Sequence, residues 1–222
     1  MNNKNIKAIS FDVWNTLIPS NKEYTIVRNE IISKHLNIDY EKANEIYRSC
    51  KKFFDTVAEI NGTCFSTSDC WKILCKIANK KEVNHEHLMN ECQIVFNNYI
   101  PKYDKELVEH LKEIKRSGFI LAITSNTNFI SGNTLYKNIF DKWNVFDTAS
   151  FSDQILFAKP HHNIFNTTFN NINKITELKP LNVLHVGDNK ICDGLSIDYG
   201  FNFEYVKNPE DLLLKLKNNI LI

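Results

Sequence analysis

Short apolar runs punctuate the chain. They are Ile-Lys-Ala-Ile-Ser-Phe-Asp-Val at 6–13, Phe-Ile-Leu-Ala-Ile-Thr at 119–124, Leu-Asn-Val-Leu-His-Val at 181–186 and Asn-Phe-Glu-Tyr-Val at 202–206. Each is too short for a stable helix and rich in β-branched or aromatic residues, so each predicts a buried strand. A weaker run at 146–151, Phe-Asp-Thr-Ala-Ser-Phe, predicts another. Helical spacing fills the gaps between them. Leu107, Leu111 and Ile114 form one stripe, with Asp104 near its start and Gly118 just past its end. Ile164, Phe165, Phe169 and Ile172 form a second. Asn208 and Pro209 open a third as N-cap and first helical residue, with Leu212, Leu213 and Leu216 on its apolar face. Strands alternating with helices predict a parallel sheet with crossover helices.

The stretch from about 22 to 99 has a different rhythm, with four helical patterns and no strand. Tyr24, Val27 and Ile31 begin the first; Ile46, Cys50, Phe53 and Val57 mark the second. Trp71, Leu74, Cys75 and Ala78 mark the third; Leu88, Cys92, Val95 and Tyr99 mark the fourth. Turn-like breaks fall at Asn37-Ile38-Asp39, Asn61-Gly62 and Asn79-Lys80. One strand, then about 80 helical residues, then strand–helix alternation predicts a helical unit inserted into an α/β core.

Composition narrows the class. At 222 residues, folding hides roughly 72% of the unfolded surface, enough for a core without disulfide or zinc staples. The net charge of +1, from 27 basic and 26 acidic residues, gives no footprint for nucleic acid or an anionic membrane. No apolar run approaches the length of a membrane span. The opening MNNKNI has no basic region followed by an apolar one, so no secretory signal is expected and the default address is the cytoplasm. None of the six cysteines has C-x-x-C spacing, so they are expected to be reduced core thiols. His85 and His87 are two apart, which on a helix points them to different faces, so no metal role is expected of them.

Candidate chemistry sits at the strand ends, where open parallel sheets bind ligands. Asp12 and then Thr16 follow the first strand; Ser125 and Asn126 follow the second. Lys159-Pro160 lies near the third, and Gly187, Asp188 and Asp193 follow the fourth. Carboxylates, a hydroxyl and an amine therefore converge on one rim. Clustered carboxylates repel unless a hard cation sits among them, and Mg²⁺ suits an all-oxygen set. A lysine and a hydroxyl beside them supply donors for an anionic group, as metal-assisted phosphoryl transfer to a carboxylate requires.

At these residues the chain resembles the haloacid dehalogenase-like (HAD) superfamily of hydrolases. Asp12…Thr16 is similar to the family's nucleophile loop, D-x-D-x-T. Leu-Ala-Ile-Thr-Ser125-Asn126 resembles its second motif, Phe-Ala-Lys159-Pro160 its third, and Gly187-Asp188…Asp193 its fourth, G-D-x-x-x-x-D. The resemblance covers about 1–20 and 100–206. It implies a Rossmann-like α/β core at 1–19 and 100–222, with the nucleophile strand near the middle of the sheet. The insertion at 20–99 is similar to the family's C1-type helical cap. It implies that Asp12 attacks phosphorus and becomes an aspartyl-phosphate. Mg²⁺ would be held by the Asp12 carboxylate, the Trp14 backbone carbonyl and Asp188, with Asp193 in support. Thr16, Ser125, Asn126 and Lys159 would serve the phosphoryl group, Asn126 by shaping its loop. The implied partner is a small phosphorylated metabolite. Substrate identity and oligomeric state are not readable.

Position 14 departs from the family pattern. Phosphatases of the superfamily usually carry an aspartate there as general acid and base; this chain has Trp14. An indole transfers no proton near pH 7, though its backbone carbonyl still suits a metal. His161 and His162, just after Lys159-Pro160, are candidates for the proton transfer, but a surface role is the expectation for both. Four readings stay open: a phosphohydrolase for good leaving groups or with another proton source, a dehalogenase, a phosphonatase, or a non-catalytic ligand-binding protein. Trp71, Phe53, Phe54, Phe65 and Tyr24 either face a ligand or form the helical unit's own core, and core is the expectation.

Overall fold

The computed structural model describes residues 5–218. Residues 1–4, part of the opening read as lacking a secretory signal, and residues 219–222 lie outside the described residues. The first strand, β1 (Ala8–Phe11), is followed by four helices: α1 (Lys22–Leu36), α2 (Tyr40–Asn61), α3 (Thr67–Ile77) and α4 (His85–Asn98). Then come α5 (Lys105–Arg116), β2 (Ile120–Ser125), α6 (Gly132–Leu135), a π turn over Tyr136–Phe140 and α7 (Asp141–Trp143). The chain continues through β3 (Thr148–Phe151), α8 (Ser152–Ile155), α9 (His162–Asn173) and β4 (Val183–Gly187). A 3₁₀ segment over Gly194–Tyr199, β5 (Asn202–Tyr205) and α10 (Pro209–Lys217) complete it.

The five strands form one parallel sheet in the order β3-β2-β1-β4-β5, which sets β1 at its centre. Ala8–Phe11 pairs in register with Ile120–Ile123 on one side and Val183–Val186 on the other. β1, β2 and β4 are buried throughout, as expected where helices cover both faces. On one face, Phe11, Leu121 and Ile123 pack with Leu107, Leu111 and Ile114 of α5, and Leu212 and Leu216 of α10. On the other, Ala8, Ala122 and Val183 meet Ile164, Phe165 and Ile172 of α9. The periodic stripes of the sequence therefore point at the sheet.

Helices α1–α4 have a separate core, with Ile32, Leu36, Tyr47, Cys50, Trp71, Leu74, Leu88 and Cys92 at its centre. Local signals delimit them. Asn21, Asp39, Ser66 and Asn84 accept N-terminal amide hydrogen bonds, each satisfying an otherwise orphaned donor. Asn37 and Gly62 end α1 and α2 in the left-handed region. One residue joins this core from elsewhere: Phe129, in the loop after β2, is fully buried among Tyr47, Phe54 and Trp71. The six cysteines are free thiols, and five are buried; burial pushes Cys50 and Cys75 up to about 11 and Cys92 to about 12. No described helix is long and apolar enough to cross a membrane.

Candidate active site

The strand ends of the sheet face α1 and α2 across a cavity of about 600 Å³. From the sheet side it is lined by Asp12, Trp14, Asn126, Lys159, Asp188 and Asp193. Lys159 is the hub. Its Nζ donates to Asp12 Oδ1 and to Asp193 Oδ1, each at 2.6 Å, with all three side chains buried. Ser125 Oγ donates to the same Asp12 oxygen at 3.1 Å. Asn126 holds Lys159 by its backbone: Lys159 N donates to Asn126 Oδ1 (2.6 Å), and Asn126 Nδ2 donates to Lys159 O (2.9 Å). This reciprocal pair fixes the lysine's main chain relative to β2.

Asp193 is held still more closely. One oxygen takes Lys159 and His185 Nε2 (3.0 Å); the other accepts Asn189 N–H (3.0 Å). The approach requires a glycine at the end of β4, because a Cβ on Gly187 would lie 2.2 Å from the Asp193 carboxylate. His185 was not singled out by sequence. It sits in an apolar strand, fully buried, in register with Ser10. From it a chain of side-chain hydrogen bonds crosses the sheet: His185 Nδ1 to Ser10 Oγ (3.1 Å), Ser10 to Thr124 (2.7 Å), Thr124 to Thr168 (2.7 Å). The available signal was a polar residue inside each buried run.

Electrostatics follow from this packing. Burial pushes the Asp12 carboxyl above its usual range, with Lys159 pulling it back and Asp193 adding to the rise. Asp193 is equally buried, yet Lys159 and His185 together hold it below the usual carboxylate range. Burial works against the Lys159 ammonium, but the two carboxylates outweigh it and hold it charged. Asp188 is half-buried and pushed up to about 6, by desolvation first and then by the charges of Asp12 and Asp193. Asp12, Asp188 and Asp193 each offer an oxygen within 4.8 Å of the others. Three carboxylates against one ammonium leave an excess of negative charge in a partly dry site. An all-oxygen set of that charge fits a hard divalent cation, Mg²⁺ in particular.

The other sequence candidates fall in three places. Trp14 is half-buried on the cavity wall, edge-on to Phe96 of α4. Thr16 departs from the expected phosphate contact: its hydroxyl is fully buried behind the wall and has no hydrogen-bond partner among the described residues. His161 and His162 are not on the wall. His161 Nδ1 accepts Asn163 N–H as the cap of α9, and its ring stacks on Phe157 at 4.4 Å. His162 is exposed, as expected, whereas His161 is half-buried. His87 meets His35 and Glu91 in a separate cluster on α1 and α4, with His35 bound to Glu91 at 2.6 Å; His85 is not part of it.

The helical side of the cavity was not resolved by sequence beyond its aromatics. Tyr24, Phe54 and Phe65 serve both as packing and as wall, whereas Trp71 is buried and donates to Phe129 O (3.0 Å). Arg28, Asn44, Tyr47, Arg48, Lys51, Asp55 and Glu59 are among the others that line it. Contacts tie this side to the sheet. Asn128 donates to Asp55 (3.1 Å), Asn189 to Glu59 (3.0 Å) and Ala158 N–H to Gly62 O (2.8 Å). Gly62 has φ +68, and a Cβ there would lie 2.2 Å from His161 Cβ, so the contact depends on glycine.

Comparison with known proteins agrees with this geometry. The family model described as "haloacid dehalogenase-like hydrolase" matches residues 6–193. No curated protein matches the sequence. Among solved structures, the chain is similar to a HAD phosphatase from Thermococcus onnurineus, with TM-score 0.63, 17% identity, and 97% of this chain and 98% of that one covered. It is similar to the HAD-hydrolase YfnB from Bacillus subtilis bound to magnesium, with TM-score 0.69, 15% identity, and 96% and 100% covered. A 2-haloacid dehalogenase from Pseudomonas syringae pv. Tomato DC3000 has TM-score 0.64 and 15% identity over 97% and 99%. At such identities these likenesses speak to the fold. The family match spans most of the chain and takes in every strand-end residue described above, so the chain belongs to the haloacid dehalogenase-like hydrolases.

Proposed function

We propose that this hydrolase is a Mg²⁺-dependent phosphohydrolase acting on a small phosphorylated metabolite, with Asp12 as the nucleophile. The carrying observation is the contact set on Asp12: Ser125 and Lys159 both hold its Oδ1, with oxygens of Asp188 and Asp193 within 4.8 Å. Fixing one oxygen by two donors orients the carboxylate, which shortens the search for an in-line attack. Asp12, Asp188 and the Trp14 carbonyl would hold the Mg²⁺, and Asp193 would support it. The bound ion offsets charge on the transferring group. Attack forms an O–P bond on Asp12 and breaks the ester O–P bond; water then cleaves the aspartyl-phosphate to phosphate and free Asp12. The Lys159 ammonium remains positive throughout and faces the phosphoryl oxygens. Asn126 acts through its hold on Lys159. Thr16, behind the wall, is given no part in holding the phosphoryl group.

In this reading residues 1–19 and 100–222 are the catalytic core, and 20–99 is a cap that encloses substrate and keeps water out. Trp14 leaves no carboxyl two residues after the nucleophile, so leaving groups that need little protonation are favoured. The same absence favours dehalogenation as the second reading, since halide leaves without a proton. One experiment separates them. Purified protein is assayed for phosphate release from acyl, aryl and alkyl phosphates, with and without chelator, beside halide release from 2-haloacids. Chelator-sensitive phosphate release is the expected result. Metal-independent halide release would replace this reading by the dehalogenase, and silence in both assays with Mg²⁺ still bound would replace it by the ligand-binding one.

A further inference from the structure

The cavity has a second charged end. Arg28, on α1, lines it together with Asp12 and Lys159, yet is only 5% exposed. Its Nε and Nη2 donate to Asn29 Oδ1, at 3.2 and 2.8 Å. Its guanidinium lies 3.4 Å from the centre of the Tyr47 ring and 5.8 Å from that of Tyr24. Among the described residues, no carboxylate pairs with it. The neighbouring basic residues differ. Lys51 is neutralised by Asp55 at 2.5 Å, and Lys159 is shared between two aspartates. Arg48, also on the wall, is exposed.

A buried cation without a counter-charge is costly, because burial removes its hydration and a neutral amide returns only part of it. An aromatic face recovers some more. What makes such an arrangement useful is a ligand that brings the missing anion. We propose that Arg28 is the receptor for a second oxyanion on the substrate, carried by the part that leaves after phosphoryl transfer. A planar guanidinium fork matches a carboxylate with two parallel hydrogen bonds, so the favoured substrate is a small phosphorylated carboxylic acid. A second phosphate offers the same oxyanion chemistry. The inference deepens the phosphohydrolase reading and rests on it for the other end of the substrate.

Binding is measured by calorimetry with Mg²⁺ present, using three hydrolysis-proof probes of one chain length. These are 3-phosphonopropionate, propylphosphonate and ethane-1,2-bisphosphonate, each with two methylenes between the phosphonate and its tail group. In the wild type the phosphonocarboxylate is expected to bind at least about tenfold more tightly than the neutral-tailed probe, the scale of a charge-assisted pair. In Arg28→Met that ratio should fall to about one. In Arg28→Lys, which keeps the charge and loses the fork, it should be intermediate. Arg28→Met also leaves the buried Asn29 Oδ1 without its two donors, so its melting temperature should fall, and every titration is run below it. Tightest binding of the bisphosphonate would support the subsite and identify its anion as a second phosphate. Equal affinities in the wild type, no binding of any probe, or discrimination surviving in Arg28→Met would overturn the subsite. Discrimination without hydrolysis of any ester would sink the phosphohydrolase reading and leave the subsite standing. Hydrolysis without preference for anionic esters would do the reverse.

Discussion

At the carboxyl rim of the sheet, buried charges answer one another: Lys159 lies between Asp12 and Asp193, and His185 braces the second. In the helical segment across the cavity, Arg28 is buried against an amide and an aromatic ring, with no carboxylate paired to it among the described residues. The two regions are stabilised differently. The rim is a connected network in which Lys159, Asp12, Asp193 and His185 hold each other's charge state and orientation, with Asp188 left in negative excess. The helical segment is stabilised by its apolar core and leaves one charge uncompensated, as selective binding needs. On the proposed reading, the difference separates residues that perform the reaction from residues that choose what enters.

The largest effect should come from Asp12→Asn. A neutral amide is a poor nucleophile, so phosphate release should fall by at least about 10⁴-fold. The fold should survive, because one charge leaves a crowded cluster. Single-turnover assays with circular dichroism check both. Activity retained would refute covalent catalysis at the rim.

Next in size is the consequence of Trp14. A missing general acid costs about 10²–10⁴-fold, so acyl and aryl phosphates should be cleaved that much faster than alkyl monoesters. Rates across a series of graded leaving-group pKa test this. A flat series would mean that another group, from either region, supplies the proton.

The sharpest break between the regions is in stability. Lys159→Met strands two buried carboxylates and should cost about 3–5 kcal/mol in urea unfolding, part of it restored by Mg²⁺. Arg28→Met strands only a neutral acceptor, the buried Asn29 Oδ1, and should cost less, about 1–3 kcal/mol. Equal losses in both would erase the distinction drawn here.

His185→Phe removes one brace from Asp193 without touching the cavity. Partners that orient a metal-supporting carboxylate typically contribute 10–100-fold, so Mg²⁺ affinity should fall by about that factor. Calorimetry with Mg²⁺ reads it directly, and a change confined to thermal stability would make His185 structural only.

The smallest effect is a pH dependence. The Asp188 carboxyl, pushed up to about 6 in the metal-free site, keeps its proton to higher pH than an ordinary aspartate. Mg²⁺ requires the ionised form. Affinity should therefore be flat above about pH 7 and fall about tenfold per unit below pH 6, while Arg28-dependent discrimination stays constant. Mg²⁺ titrations at several pH values check the sign.

The core was legible in the sequence because its signals are local. β1, β2, β4 and β5 lie on the apolar runs, and the weak run at 146–151 contains β3. Ser125 ends β2; Asp12, Asn126, Lys159, Asp188 and Asp193 follow strands or lie in the loops beyond them, and parallel pairing alone brings strand ends to one rim. The segment 126–146 was not legible: it has no period, and its π turn and short helices are set by contacts. His185 was hidden for a related reason, since a hydrogen bond between residues far apart in the chain leaves no spacing to read.

What the sequence by itself determined is which residues make strands and helices, and which chemical groups the strands deliver to their ends. Both depend on backbone geometry and on periodicities of a few residues. Only the tertiary structure decided that Thr16 turns inward, that His161 caps a helix, and that Phe129 belongs to the core of a segment remote in sequence. It alone decided that Arg28 is buried, faces the cavity and has no counter-ion among the described residues. The physical reason is that burial and charge pairing depend on the whole set of neighbours, and those neighbours come from segments whose separation in sequence carries no record of their approach.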